Sequence, residues 1–168
     1  MSPRVFSFLT IIAFGVNGAA LAADRQLAGR VLRVIDGDSL VLDVRGSQYR
    51  VELTDIDAPE LNQPWGVAAA DRLQHSLTGR FVVVYWSGTV DDGRIEGRLT
   101  SKNRDIALDL LYEGLAWCTL GVVTEFPDQG RPYRDAEAVA REAHRGLWSD
   151  ERSIPPWEWR EQRLRPFD

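Results

Sequence analysis

Three short β-branched runs, at residues 31–35, 39–44 and 47–53, are broken by Asp36-Gly37-Asp38 and Arg45-Gly46-Ser47. Turn formers at that spacing leave no length for a helix, and they predict a three-strand meander. In the third run Tyr49, Val51 and Leu53 share one face while Gln48, Arg50 and Glu52 share the other, as a period of two requires. A face this charged looks into solvent or into a site.

Downstream the period changes. Pro64 opens a helical pattern in which Val67, Ala70, Leu73 and Leu77 form the expected apolar stripe, and Gly79 stops it. A nearly continuous apolar strand follows at residues 81–86, and a weaker one at 94–101 after the Asp91-Asp92-Gly93 turn. Ala107, Leu110, Leu111 and Gly114 have helical spacing and predict a short second helix. A Gly- and Pro-containing loop at about 121–132 is expected to lead to a third helix, with Ala136, Val139, Ala140, Ala143 and Leu147 on one face and Gly146 as its C-cap. Five strands, a helix after the third and two helices at the end predict an α+β fold: a five-stranded Greek-key barrel of the oligonucleotide/oligosaccharide-binding type, with three helices.

Residues 1–22 read as a signal peptide. Arg4 supplies the positive charge, residues 5–16 the apolar run, and Ala20-Leu21-Ala22 a small-x-small cleavage pattern. The run is shorter than the roughly 20 residues a membrane-spanning helix needs. Residues 23–150 then form one domain, and 151–168 a Pro/Trp/Arg-rich C-terminal tail expected to pack its tryptophans back on the body. The expected product is exported, periplasmic or extracellular, monomeric and free of stable membrane association once the leader is cleaved. Losing Arg4 takes the net charge from −5 to −6, which disfavours a passive nucleic-acid coat protein but suits an enzyme whose metal neutralises phosphate locally. Cys118 is the single cysteine, so no intramolecular disulfide can form; beside Trp117 it reads as a small buried hydrophobe.

Asp36, Asp38, Asp55, Asp57 and Glu60 cluster at two backbone breaks flanking those first strands. Taken singly, Asp-Gly marks a hairpin turn and Asp-Ala-Pro-Glu the start of a helix. Taken together, with arginines downstream, they supply the oxygen ligands that hard divalent cations take.

Val34-Ile35-Asp36-Gly37-Asp38-Ser39, Ile56-Asp57-Ala58-Pro59-Glu60, Asp92-Gly93-Arg94, Glu113-Gly114-Leu115-Ala116-Trp117 and Gly146-Leu147-Trp148 occur in a fixed order. In that order and spacing the chain resembles the staphylococcal-nuclease-like (thermonuclease) domain family over about residues 29–149. The resemblance implies a five-stranded barrel with three helices and Ca²⁺-dependent hydrolysis of phosphodiester bonds in DNA and/or RNA. It also implies Asp38, Asp57 and the Ala58 carbonyl as metal ligands, Glu60 as the acid that orients or deprotonates the attacking water, and Arg94 as a phosphate contact. These roles suit the chemistry, which needs neutralised phosphate oxygens and an activated water. Asp36, Asp55 and Asp91 match no essential role and read as turn or surface acids.

The chain departs from the family pattern at two places. Glu52 stands where the family presents a second phosphate-binding arginine, and Cys118, Thr119 and Leu120 stand where it often has tyrosines. Arg50, about 7 Å from Glu52 on the same strand face, is the candidate replacement, free either to reach phosphate or to pair with Glu52. A second class of function stays open at this point: an impaired barrel that binds nucleic acid or a protein partner. A third is an exported domain whose metal only stabilises the fold.

Overall fold

The computed structural model describes residues 25–119 and 127–164. The predicted leader, residues 120–126 of the predicted loop and the last four residues lie outside the described residues.

Strands β1 (Arg25–Val34), β2 (Ser39–Val44) and β3 (Ser47–Leu53) form the antiparallel meander that the turn signals predict. The first begins six residues before its β-branched run, because Arg25 to Arg30 pair with a later strand. A register shift between Val31 and Arg33 bends β1, so that its first part pairs with β5 (Phe81–Trp86) and its last part with β2. Strand β6 (Arg94–Ser101) pairs antiparallel with β5 and parallel with β3, which closes a five-stranded barrel. Closure removes the free sheet edges. Two short ladders are added, β4 (Ile56–Asp57) on β8 (Trp117–Cys118) and β7 (Arg104–Asp105) on β6.

The inner faces supply the core. Leu40, Leu42, Val51, Val84, Ile95 and Leu99 are fully buried and join one apolar cluster with Leu73 and Leu77 of α1 (Gly66–Leu77) and Leu110 and Leu111 of α2 (Ile106–Glu113). Arg72 ties the two helices with a double hydrogen bond to Glu113, both contacts at 2.6 Å. Asp105 caps α2 through the Ala107 N–H, and Gly114 ends it in the left-handed conformation, as its sequence signals require.

The two flanking helices differ from expectation. In α1 the buried residues are Gly66, Ala69, Leu73 and Leu77, and Val67 stands outside at 57% exposure. The stripe is rotated onto Ala69, which is fully buried and packs beside Gly37 of the turn between β1 and β2. Helix α3 (Pro127–Glu142) starts inside the predicted loop and buries Tyr133 and Ala140, while Val139 is exposed. It ends at Glu142, so Gly146 is not its cap. Gly146 (φ 53°) instead opens a 3₁₀ turn (Gly146–Ser149) whose Leu147 N–H bonds the Gly114 carbonyl.

The tail contains α4 (Pro156–Leu164), the fourth α-helix among the described residues, where three helices were expected. Pro156 occupies its first turn, where a missing N–H costs nothing.

Candidate active site

The site forms where two turns meet. Asp36 Oδ1 accepts from the Ser39 N–H (2.8 Å), the Ser39 hydroxyl (2.7 Å) and the Asp38 N–H (3.2 Å). Those bonds are the local competition of Asp with backbone pairing that makes tight turns. Asp36 is thus a turn acid, as expected, although it also borders the cavity described below. The second turn packs directly on the first: a Cβ at Gly37 would lie 2.6 Å from the Ala58 Cβ and 2.8 Å from the Ala69 Cβ. Only glycine permits that approach.

The contact carries Asp38 onto the second turn, where its Oδ2 accepts the Ala58 N–H at 2.7 Å. Burial, and then the neighbouring Asp36 and Asp57, push the Asp38 carboxyl up to about 8 even though the Ala58 N–H opposes the shift. A carboxyl so placed is short of positive charge. Asp57 follows on β4, held in position by pairing with Trp117. Glu60 begins the connection to α1. Its N–H donates to Gln63 Oε1 at 3.1 Å, and its carbonyl accepts the Gln63 N–H at 2.8 Å.

Asp38, Asp57, Ala58, Glu60, Arg50 and Glu52 all border one cavity of about 300 Å³. The structure therefore brings together the predicted metal ligands, the predicted water-orienting acid and the replacement arginine. Arg50 reaches Glu52 at 2.8 Å, the second of the two options open to it from sequence, and its Nε is buried with no hydrogen-bond partner. Arg94 is the parallel register partner of Arg50, so both lie on the outer face of the barrel, but Arg94 is exposed and does not line the cavity. The turn before it is a tight Asp92-Gly93 pair with φ of 43° and 73°, matching the strong hairpin signal of Asp-Gly.

One cavity residue was missed from sequence. Arg160, on α4, donates to Asp57 Oδ2 at 2.7 Å, to Asp57 Oδ1 at 3.2 Å and to Glu60 Oε1 at 2.8 Å. These bonds, to Asp57 first, raise its guanidinium further above its ordinary value. The helix is tied to the Glu60 turn at two more points. Buried Gln63 donates through Nε2 to the Ile154 carbonyl at 2.7 Å, and Trp159 Nε1 donates to Asn62 Oδ1 at 3.1 Å. The Trp-rich composition signalled packing on the body; nothing in it pointed to an arginine reaching across some hundred positions of sequence.

The donor set fits a hard cation. Two carboxylates and a backbone carbonyl are oxygen ligands of the kind Ca²⁺ takes, and the gathering of Asp36, Asp38 and Asp57 with Ala58 on one cavity is the observation that supports a cation there. Among the described residues no three acidic, histidine or cysteine side chains converge as a metal cluster. The predicted set contains only two such side chains, and in this arrangement Arg160 holds one of them.

Neither Asp55 nor Cys118 lines the cavity. The Asp55 Oδ2 is buried without a partner, and burial, followed by the charge of Asp105, raises its carboxyl; it is not a surface acid. Cys118 is buried and its thiol is pushed up to about 11, chiefly by desolvation. It is an inert core residue, as its context predicts.

The fold and site define a closed five-stranded barrel whose turns carry an acid-rich cavity bordered by Arg50 and Arg160. The family model described as "Staphylococcal nuclease homologue" matches residues 50–150. An "Uncharacterized endonuclease" of Escherichia coli is 33% identical over 158 residues, covering 93% of this chain and 98% of the relative. A "Micrococcal nuclease" of Shigella flexneri is 34% identical over 174 residues, covering 95% of each. "Protein ParB" of Escherichia coli is also 34% identical, with 96% of each covered. The chain belongs to the staphylococcal-nuclease-like family.

Proposed function

We propose that this chain is an exported, Ca²⁺-dependent nuclease that hydrolyses phosphodiester bonds in DNA and/or RNA. Its nuclease activity rests on membership of a nuclease family whose relatives match it nearly end to end. The observation that carries the mechanism is that Asp38, Asp57 and Glu60 border a single cavity beside Arg50.

Asp38, Asp57 and the Ala58 carbonyl would hold the cation. A bound Ca²⁺ supplies charge neutralisation at a phosphate oxygen and a more acidic water. The remaining chemistry falls to side chains of this chain. Glu60, fixed at its backbone by Gln63, orients the attacking water and accepts its proton. Arg94 and Arg50, neighbours on adjacent strands, contact phosphate oxygens and stabilise the charge that grows on them. The buried Arg50 Nε, with no acceptor among the described residues, supports that role.

Export rests on the leader pattern of residues 1–22. The chain is proposed to act as a monomer without stable membrane association; no helix among the described residues is long and apolar enough to cross a membrane. The Arg50–Glu52 ion pair favours a second reading, a barrel that binds nucleic acid without cutting it.

The deciding experiment is hydrolysis of single-stranded DNA and of RNA by purified protein in millimolar Ca²⁺, against a chelator control. Chelator-sensitive cleavage is expected. Binding without cleavage would replace the nuclease with the second reading.

A further inference from the structure

The cavity is lined by five carboxylates and two guanidiniums. A phosphodiester approaching it meets a net negative wall, and the Arg50 charge is already shared with Glu52 at 2.8 Å. Arg94 stands outside the lining. Among the described residues, the other cation of the lining comes from the tail: Arg160, laid across Asp57 and Glu60 with three hydrogen bonds.

Its placement is built rather than incidental to an exposed arginine. The buried amide of Gln63 links the Glu60 backbone on one side to the Ile154 carbonyl on the other, and Trp159 locks the first turn of α4 to Asn62. Arg160 therefore emerges from a helix anchored on the same turn that carries Glu60. Its partners matter equally. Asp57 is a proposed cation ligand, so a divalent ion and Arg160 compete for one carboxylate. With Asp57 given over to an ion, the guanidinium would stay tethered to the Glu60 turn with donors freed, and a phosphate oxygen would be an anion of the kind those donors take. Arginine suits that transfer, since its planar fork binds carboxylate and phosphate with the same geometry.

We propose that Arg160 is a substrate-binding residue of this site: the C-terminal helix supplies a phosphate-contacting guanidinium where strand β3 carries Glu52, and parks it on Asp57 and Glu60 until cation and nucleic acid enter. This rests on the nuclease reading above and names a residue that reading does not contain.

The test uses the full chain and Arg160→Ala, Arg160→Gln and Arg160→Lys, with thermal unfolding to verify the fold. Three quantities are read: Ca²⁺ affinity by calorimetry, affinity for a phosphorothioate oligodeoxynucleotide in Ca²⁺ by fluorescence anisotropy, and turnover of an unmodified oligodeoxynucleotide. Arg160→Ala is expected to bind Ca²⁺ as tightly as the parent or more tightly, because a competitor for Asp57 is gone. Its oligonucleotide affinity should fall about tenfold or more, and its turnover about 10²- to 10³-fold, as for loss of one transition-state donor. Arg160→Lys should recover part of both. Arg160→Gln, which keeps most of the stem, decides the question if the alanine variant unfolds. Faster cleavage by the variants at limiting Ca²⁺, with unchanged oligonucleotide affinity, would overturn the proposal and make the helix a brake. Parental values throughout would overturn it too, leaving Arg160 a structural strap. If the parent itself cleaves nothing, the nuclease reading fails separately, and the anisotropy comparison still decides Arg160.

Discussion

The Ala58 N–H donates to Asp38 Oδ2 at 2.7 Å across 20 positions of sequence. This bond, made within the chain itself, helps set the spacing between the two turns that carry the proposed cation ligands. Preorganisation of this kind lowers the reorganisation that binding would otherwise cost.

Asp38→Asn and Asp57→Asn should therefore each weaken Ca²⁺ binding far more than Asp55→Asn. An asparagine at 38 can still accept the Ala58 N–H through its carbonyl, so the fold should survive while the charge is lost. Asp36→Ala should differ in kind. It strips three hydrogen bonds from the first turn and should lower thermal stability. Calorimetric titration with Ca²⁺ alongside thermal unfolding separates these effects. Equal loss of affinity in all four variants would defeat the ligand assignment.

Glu60→Gln should reduce turnover by about 10²-fold or more with little change in stability, since the amide is nearly isosteric but cannot take a proton. Its hydrogen bonds with Gln63 run through the Glu60 backbone and are untouched. Arg94→Lys should also lose turnover, because an ammonium does not reproduce a two-pronged contact with phosphate. Single-turnover cleavage of a labelled oligonucleotide reads both. Parental rates in both variants would place the chemistry elsewhere.

How much of the fold and site was legible from sequence follows from the range of each signal. The strands at Ser39–Val44, Ser47–Leu53, Phe81–Trp86 and Arg94–Ser101 have the bounds that short apolar or alternating runs between turn residues mark, because both signals are local in sequence. The helix stripes were less secure. Val67 and Val139 are apolar yet exposed, and the true α1 stripe depends on Gly37 pressing against Ala69, a contact between distant segments. Asp38, Asp57, Ala58 and Glu60, the positions that the family resemblance pointed to, border one cavity. Arg160 carried no signal at all: one arginine in an Arg-rich tail has no periodicity or spacing that marks its target.

Gly114 and Gly146 make a second close approach, with the Leu147 N–H on the Gly114 carbonyl at 2.9 Å. A Cβ at Gly146 would sit 2.1 Å from that oxygen, and its φ of 53° already disfavours a side chain. Gly146→Ala should destabilise the fold by at least about 1–3 kcal/mol, through overpacking against backbone that cannot move cheaply. Urea unfolding measures this. An unchanged midpoint would mean that the 3₁₀ turn is not held against the end of α2.

The Arg50–Glu52 pair gives the sharpest test of the strand side of the site. Glu52 faces the cavity 2.8 Å from Arg50, with both side chains part-exposed, so the pair itself contributes little stability and either member can be changed without unfolding the barrel. Its consequence is electrostatic. Glu52 repels phosphate directly and also occupies the Arg50 guanidinium. Glu52→Gln removes both effects and should increase oligonucleotide affinity and turnover, with the larger gain at low ionic strength where charges are least screened. Arg50→Ala should have the opposite sign and lower turnover by about 10²- to 10³-fold if Arg50 contacts the scissile phosphate. The double variant Arg50→Ala, Glu52→Gln decides between contact and field: if Arg50 only balances Glu52, removing both returns the parental rate, whereas a true phosphate contact leaves the double variant well below the parent, regaining over Arg50→Ala only the direct repulsion of Glu52. Rates for the four proteins at two salt concentrations complete the cycle. Full recovery in the double variant would remove Arg50 from the catalytic set.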